Sequence, residues 1–443
     1  MATTNVMAKP RLNIKKDTIH DIKLSEDQQA IFETLDKGLS NAYITGKAGT
    51  GKSILLQYFV ENTAKNVAVV APTGVAALNV NGQTIHSFFK LPPELQNLSQ
   101  VTIDYKTREI LKHLDAIVID EISMVRADLI EAINLKFQLA KGNQLPFGGV
   151  QIIMFGDLFQ LPPIVADGQL NNYFDHNYGG IYFFNAPVFK VFDYKTFELN
   201  HIFRQKDEEF KLLLNSIRVG DHSETTLAKL NARTQAPLPV TGFITLAGHN
   251  ATVSRINHEK LAELQGTEQV YVAQVTGNLS EKSFPTEKDL KLKVGAQVML
   301  LKNDKQKPPR WVNGTLGIVT KLTKDLIRVN IDGVEHTIYQ DSWDAVRYYY
   351  DPTLRKIEKE VVSTFRQFPL RLAWAITIHK SQGQTYQSVA IDLSGRAFAS
   401  GQTYVALSRC QSLEGLFLLS PIRRADIIVD QDIVEFMRGK SIT

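Results

Sequence analysis

A chain of 443 residues is too long for one ordinary hydrophobic core, so two or more domains are expected. With 44% hydrophobic and 22% charged residues, the composition excludes disorder over most of the length. A net charge of +4 suits a nucleic-acid partner without requiring one, because a local basic track matters more than the total. The single cysteine, Cys410, excludes an intrachain disulfide and a thiolate metal cluster and points to a reducing, cytoplasmic setting. No apolar run reaches membrane-spanning length, so no membrane partner is expected.

In chain order, residues 1–20 are basic and polar and read as a flexible arm. A first α/β domain is predicted over 21–200. Its strand runs are NAYITG, NVAVVAP, LDAIVIDE and VQIIMFGD. Each is short, continuous and rich in Val and Ile, the pattern of central parallel strands covered on both faces. Polar residues gather where the runs end, which is where open α/β sheets bind ligands.

The first such end carries GKAGTGKS, Gly46 to Ser53, between a strand and a helical stretch. This is a complete phosphate-binding loop. Backbone N–H groups of Gly46, Ala48, Gly49, Thr50 and Gly51 are placed to wrap phosphates, and Lys52 to neutralise them. Ser53 would hold Mg²⁺. The next buried run ends in Asp120 and Glu121. An acidic pair there is costly unless it meets a cation. Asp120 fits as a magnesium ligand and Glu121 as the base that orients water. The run after it ends in GDLFQLPP. Gln160 at its tip reads equally as a contact to the γ-phosphate or attacking water and as a loop amide with no partner.

A second α/β domain is predicted from 201–287 and 365–443, with strands GFITLAGHN, QSVAIDL and GLFLLSP. Between its halves, 288–364 alternates with period two and carries Asp332-Gly333, a hairpin signal. This segment reads as an inserted antiparallel barrel. Its stretch LLKNDKQKPPRWVNG reads as a basic clamp of Lys302, Lys305, Lys307 and Arg310 beside Trp311, or equally as a solvated hairpin tip. Arg204 and Arg409 both follow the first domain. An arginine across a cleft from ATP stabilises transition-state charge, whereas an arginine out of context is usually a surface ion pair.

The ordered strings LSEDQQAIF, GKAGTGKS, APTGVAALNVNGQTIHSFF, VIDEISMV, PFGGVQIIMFGDLFQLPP, LNHIFRQ, VNGTLG, WAITIHKSQGQT and TYVALSR resemble those of the PIF-type DNA helicases, in the 5′-to-3′ subgroup of superfamily 1. The resemblance runs from Leu24 to Arg409. It implies two RecA-like P-loop domains with parallel sheets, a small wedge insertion at about 90–107 in the first, and an SH3-like antiparallel β-barrel subdomain. It also implies an ATP- and Mg²⁺-dependent DNA helicase that moves 5′ to 3′ along single-stranded DNA, opens tailed or forked duplexes and works as a monomer. Carried onto this chain, it gives adenine recognition to Gln28, a DNA phosphate contact to Thr73, and cleft coupling to Gly383 and Gln384. Arg204 and Arg409 become arginine fingers. For the DNA track it favours His86, His379, Thr377 and one of Phe88 and Phe89, while Trp374 reads as core. The rival reading is a DNA-stimulated ATPase switch that does not unwind.

Overall fold

The computed structural model describes residues 23–165, 168–205, 207–306 and 309–440, so the expected arm and Lys307 lie outside the described residues. A first sheet contains β1 (Ala42–Gly46), β2 (Val67–Ala71), β3 (Gln83–Thr84), β4 (Ala116–Ile119), β5 (Gln151–Phe155) and β6 (Lys195–Leu199) in the order β3-β2-β4-β5-β1-β6. Its neighbours all run parallel. Every residue of β1, β4 and β5 is buried, which explains why these runs are apolar without alternation.

β7 (Ile244–Ala247) starts a second sheet that the chain leaves until Ala375. The strands that follow are β8 (Gln269–Val272), β9 (Gln274–Thr276), β10 (Asp289–Leu292), β11 (Gln297–Leu300), β12 (Leu316–Leu322), β13 (Ile327–Ile331), β14 (Val334–Ile338), β15 (Asp341–Asp351), β16 (Lys356–Gln367) and β17 (Leu370–Leu372). β18 (Ala375–Thr377), β19 (Val389–Asp392) and β20 (Leu416–Leu418) then complete a parallel sheet in the order β18-β7-β19-β20. The fold is therefore two parallel α/β sheets with an antiparallel insertion. The insertion centres on the sheet β14-β13-β12-β11-β17. Asp332 and Gly333 turn the β13–β14 hairpin with φ of 48° and 85°, the doubly positive geometry that Asp-Gly favours.

The insertion departs from a self-contained barrel in one respect. β15 and β16 form a long hairpin that leaves it and packs on the first sheet. β3 pairs with β2 only at Val70 and Ala71, so the Val69 N–H is left at the sheet edge. The Tyr348 hydroxyl of β15 accepts that N–H at 2.9 Å, and its ring, 2% exposed, lies in the first core against Phe88. His113 stacks on Tyr350 at 3.5 Å beside it. The helix Gln431–Arg438, expected with the second sheet, also joins the first core. Ile433 is buried there and Phe436 stacks on Phe184 at 4.0 Å. The expected wedge at about 90–107 is a loop with one short turn at Leu98–Gln100 that runs into the helix Tyr105–His113, tied down by the Gln96 N–H to Asp128. No described helix is long and apolar enough to cross a membrane.

Candidate active site

The phosphate loop turns between β1 and the helix Lys52–Asn62. Gly49 and Gly51 adopt φ of 83° and 84°, and a Cβ on Gly49 would lie 2.4 Å from the Arg204 side chain. The loop thus needs bare backbone where Arg204 closes over it. Lys52 donates to the carbonyls of Gly46 and Lys47 at 2.6 and 3.2 Å, and burial lowers its pKa.

A cavity of ≈ 1130 Å³ opens in front of this loop. Lys52, Ser53, Glu121 and Gln160 line it from the first domain, and Arg204, Gly383 and Arg409 from beyond it. Glu121 leaves β4 with φ of 50°, a strained left-handed conformation for a residue with a side chain. Burial, reinforced by Asp120, raises Glu121 to about 7, and burial raises Asp120 to about 6. Two carboxylates under this pressure form a donor set that a divalent cation would relieve, with the exposed Ser53 hydroxyl at the same cavity.

Arg204 donates to the carbonyls of Ser408 and Gly383, and burial together with Arg409 lowers it to about 9. Arg409 is 1% exposed and donates to the Val405, Ser381 and Gln384 carbonyls and to the Ser408 hydroxyl. Neither arginine, nor Lys52, makes an ion pair among the described residues. One buried and two half-buried cations held by neutral groups around one cavity create a site for a polyanion.

Sequence reasoning missed several residues here. Gln382, inside the quoted string HKSQGQT, donates toward both Glu121 and Gln160 at 3.4 Å and so bridges the two. Tyr404, inside TYVALSR, accepts the Ala48 N–H at 3.1 Å across the cleft. Gly401 packs so closely that a Cβ would sit 2.2 Å from the Gln160 carbonyl oxygen. Asp157 of the GDLFQ loop forms a buried ion pair at 3.0 Å with Arg218, which ends the helix Glu208–Arg218 and carries no motif. Phe203, 52% exposed, also lines the cavity.

The expectation of a base-stacking phenylalanine needs correction. Phe88 and Phe89 are 4% and 0% exposed and pack edge to face in the first core, Phe89 against Phe137, so neither ring offers a face to a base. The Thr377 hydroxyl is buried and accepts the Lys380 N–H. Gln28 is 3% exposed; its carboxamide accepts from the Ser25 N–H and donates to the Gly51 carbonyl, bracing the loop from behind. Thr73 caps the helix Gly74–Asn79, and Gln384 donates to Asn313. His86 is half-buried with an unpartnered Nε2, and burial followed by Arg126 lowers its pKa. Lys302 and Lys305 share Asp341, and Arg310 pairs with Asp304, so the described cations of the expected clamp are partly offset within the insertion.

Two parallel α/β sheets that close a phosphate loop against two trans arginines define an ATP-hydrolysing motor of the P-loop class. A PIF1-like helicase family model matches residues 23–227, and a model of the DNA helicase Pif1 2B domain matches 278–322. The chain belongs to the PIF1-like helicase family. It is 34% identical to the ATP-dependent DNA helicase Pif1 of Bdellovibrio bacteriovorus, over 95% of this chain and 93% of that one. Against the ATP-dependent DNA helicase PIF1 of Homo sapiens it is also 34% identical, over 95% of this chain but 65% of the human one. Pif1 from Bacteroides sp in complex with ADP-AlF4 superposes with a TM-score of 0.87 at 38% identity, covering 95% and 97% of the two chains. The Bacteroides Pif1 bound to ssDNA, at the same identity and coverage, gives 0.66.

Proposed function

We propose that this helicase uses ATP hydrolysis in the cleft to move 5′ to 3′ along single-stranded DNA and to open tailed or forked duplexes, acting as a monomer. The observation that carries the reading is the convergence of Lys52, Arg204 and Arg409, contributed from both sides of the cleft, on one cavity, none of the three in an ion pair among the described residues. ATP supplies that anion and so favours the closed arrangement over the open one. Lys52 and the loop amides grip the β- and γ-phosphates. The two arginines offset charge as the γ-phosphoryl leaves. Glu121 orients water for attack, and Gln382, which also donates to Gln160, holds the Glu121 carboxylate in place. Mg²⁺, held by Ser53 and Asp120, would neutralise phosphate charge.

DNA as the track is supported by the Bacteroides relative, which has been seen bound to ssDNA. The lower similarity to that form fits a DNA-free arrangement here. Beside Thr73, a Cβ on Gly74 would lie 2.7 Å from the Ser283 hydroxyl, so the turn Glu281–Ser283 of the insertion covers the site where Thr73 would meet a phosphate. On this reading the insertion moves aside when DNA enters. The deciding experiment is strand separation on duplexes with a 5′ or a 3′ single-stranded tail, with Lys52→Ala as control. Unwinding of the 5′-tailed duplex alone, lost in the control, supports the reading. ATP hydrolysis stimulated by single strands without unwinding of either duplex would sink it and favour an ATPase switch.

A further inference from the structure

One short segment, 381–384, holds the charged groups of the cleft from the second domain. The Ser381 and Gln384 carbonyls accept from Arg409 at 3.4 and 3.3 Å, and the Gly383 carbonyl accepts from Arg204 at 3.2 Å. The Gln382 amide donates toward Glu121 and Gln160 at 3.4 Å. The other bonds of Arg409 go to Val405 and Ser408, its neighbours in sequence. Because neither arginine has an ion pair among the described residues, the place of these carbonyls sets where the guanidinium groups point.

Among the described residues, one hydrogen bond ties this segment to the insertion. Gln384 Nε2 donates to Asn313 Oδ1 at 3.2 Å. Asn313 lies in the loop between β11 and β12, and its own N–H donates to Asn303 Oδ1 at 2.7 Å across that loop. The next N–H, of Gly314, donates to the Leu300 carbonyl at 2.8 Å, which roots the contact on β11. β11 is itself anchored, since Met299 is buried in the core of the second domain. Gly314 has φ of 96°, and a Cβ there would lie 2.1 Å from Gln384 Oε1. That oxygen is buried and has no hydrogen-bond partner among the described residues. A bare glycine and an unsatisfied buried acceptor are costs that folding alone does not reward, so the close approach of the two loops calls for another reason.

We infer that Asn313 is a positioning residue for ATP hydrolysis: from the insertion it fixes Gln384, and the Gln384 backbone in turn fixes Arg409 and the segment that holds Arg204. This deepens the helicase reading and rests on it. Asn313 itself touches neither nucleotide loop nor arginine, so it acts on turnover and not on nucleotide affinity.

The test is ATP turnover by the full chain with a saturating all-thymine oligodeoxynucleotide. Asn313→Ala should lower kcat roughly 10- to 100-fold and kcat/KM by the same factor, because the arginines act on transition-state charge. Asn313→Asp keeps an acceptor for Gln384 and should keep most of the rate. Gln384→Met keeps the side-chain length without the amide and should match Asn313→Ala, and the double variant should be no slower than either single. If Asn313→Ala does not fold, Gln384→Met and Asn313→Asp carry the same prediction. A raised KM at unchanged kcat, wild-type rates in Asn313→Ala or Gln384→Met, an Asp variant as slow as Gln384→Met, or effects that multiply in the double variant would each overturn the inference and leave the helicase reading intact. A wild-type protein whose turnover the oligodeoxynucleotide does not stimulate overturns both.

Discussion

Replacing Arg218 by methionine should expose how much of the cleft rests on one buried charge pair. The Arg218 and Asp157 side chains are 7% and 0% exposed and meet at 3.0 Å. Asp157 also accepts from the Phe159 N–H and from Gln160 Nε2, and the Arg218 guanidinium lies 4.2 Å from the Phe159 ring. Arg218→Met leaves Asp157 charged, buried and short of its partner, which costs about 3–5 kcal/mol. Asp157→Asn combined with Arg218→Met removes both charges, and the pair should be less damaging than the sum of the singles by about 2 kcal/mol or more. Urea unfolding followed by circular dichroism measures each corner of the cycle.

The pH dependence has a definite sign. Burial alone would raise Asp157, but Arg218 and then Lys52 overcome it and hold the carboxyl below its ordinary value. That depression contributes stability above the unfolded carboxyl pKa of about 4 and is lost as pH falls through the folded value. The gap between wild type and Arg218→Met should therefore narrow on acidification from pH 7. A variant within about 1 kcal/mol of wild type at pH 7, or additive singles, would refute the reasoning.

Three further outcomes are expected. Gly401→Ala combines a φ of 71° with a Cβ 2.2 Å from the Gln160 oxygen, so it should shift the helix that leads to Arg409 and slow ATP turnover about a hundredfold in steady-state assays. Tyr348→Phe strips the Val69 N–H of its acceptor and should cost about 1–3 kcal/mol in chemical denaturation. Phe89→Ala should cost about 3–5 kcal/mol of stability, whereas a selective loss of base-dependent DNA binding with no loss of stability would contradict the burial seen here.

What could be seen from sequence followed physical rules of different reach. Strands such as AIVI and QIIMF were legible because a strand covered on both faces must be apolar throughout. The phosphate loop was legible because glycine spacing and the following helix leave few other readings. IHSFF carries no periodicity that says which rings face inward. Only Tyr348 and Phe137, distant in sequence, decide that. Arg218 stood in an amphipathic helix as one more charged end, and its partner appears only when the GDLFQ loop folds onto it. Gln28 could be placed only by resemblance, because the bond to Gly51 that holds its amide spans 23 residues. The hairpin β15–β16 looked like part of a barrel because alternation reveals two faces and not which body each face meets.

That hairpin bears on how the protein comes off the ribosome. The first sheet is laid down by Leu199, but its core lacks Tyr348 and Ile433 until those residues have been made. The Val69 edge and the apolar floor beneath Phe88 thus stay open while more than half of the chain is still to come. Contacts of such long sequence separation form slowly, and an open sheet edge is a point of mispairing. A nascent chain stalled before Tyr348 should therefore be a favoured client for chaperones, although it already contains a complete phosphate loop.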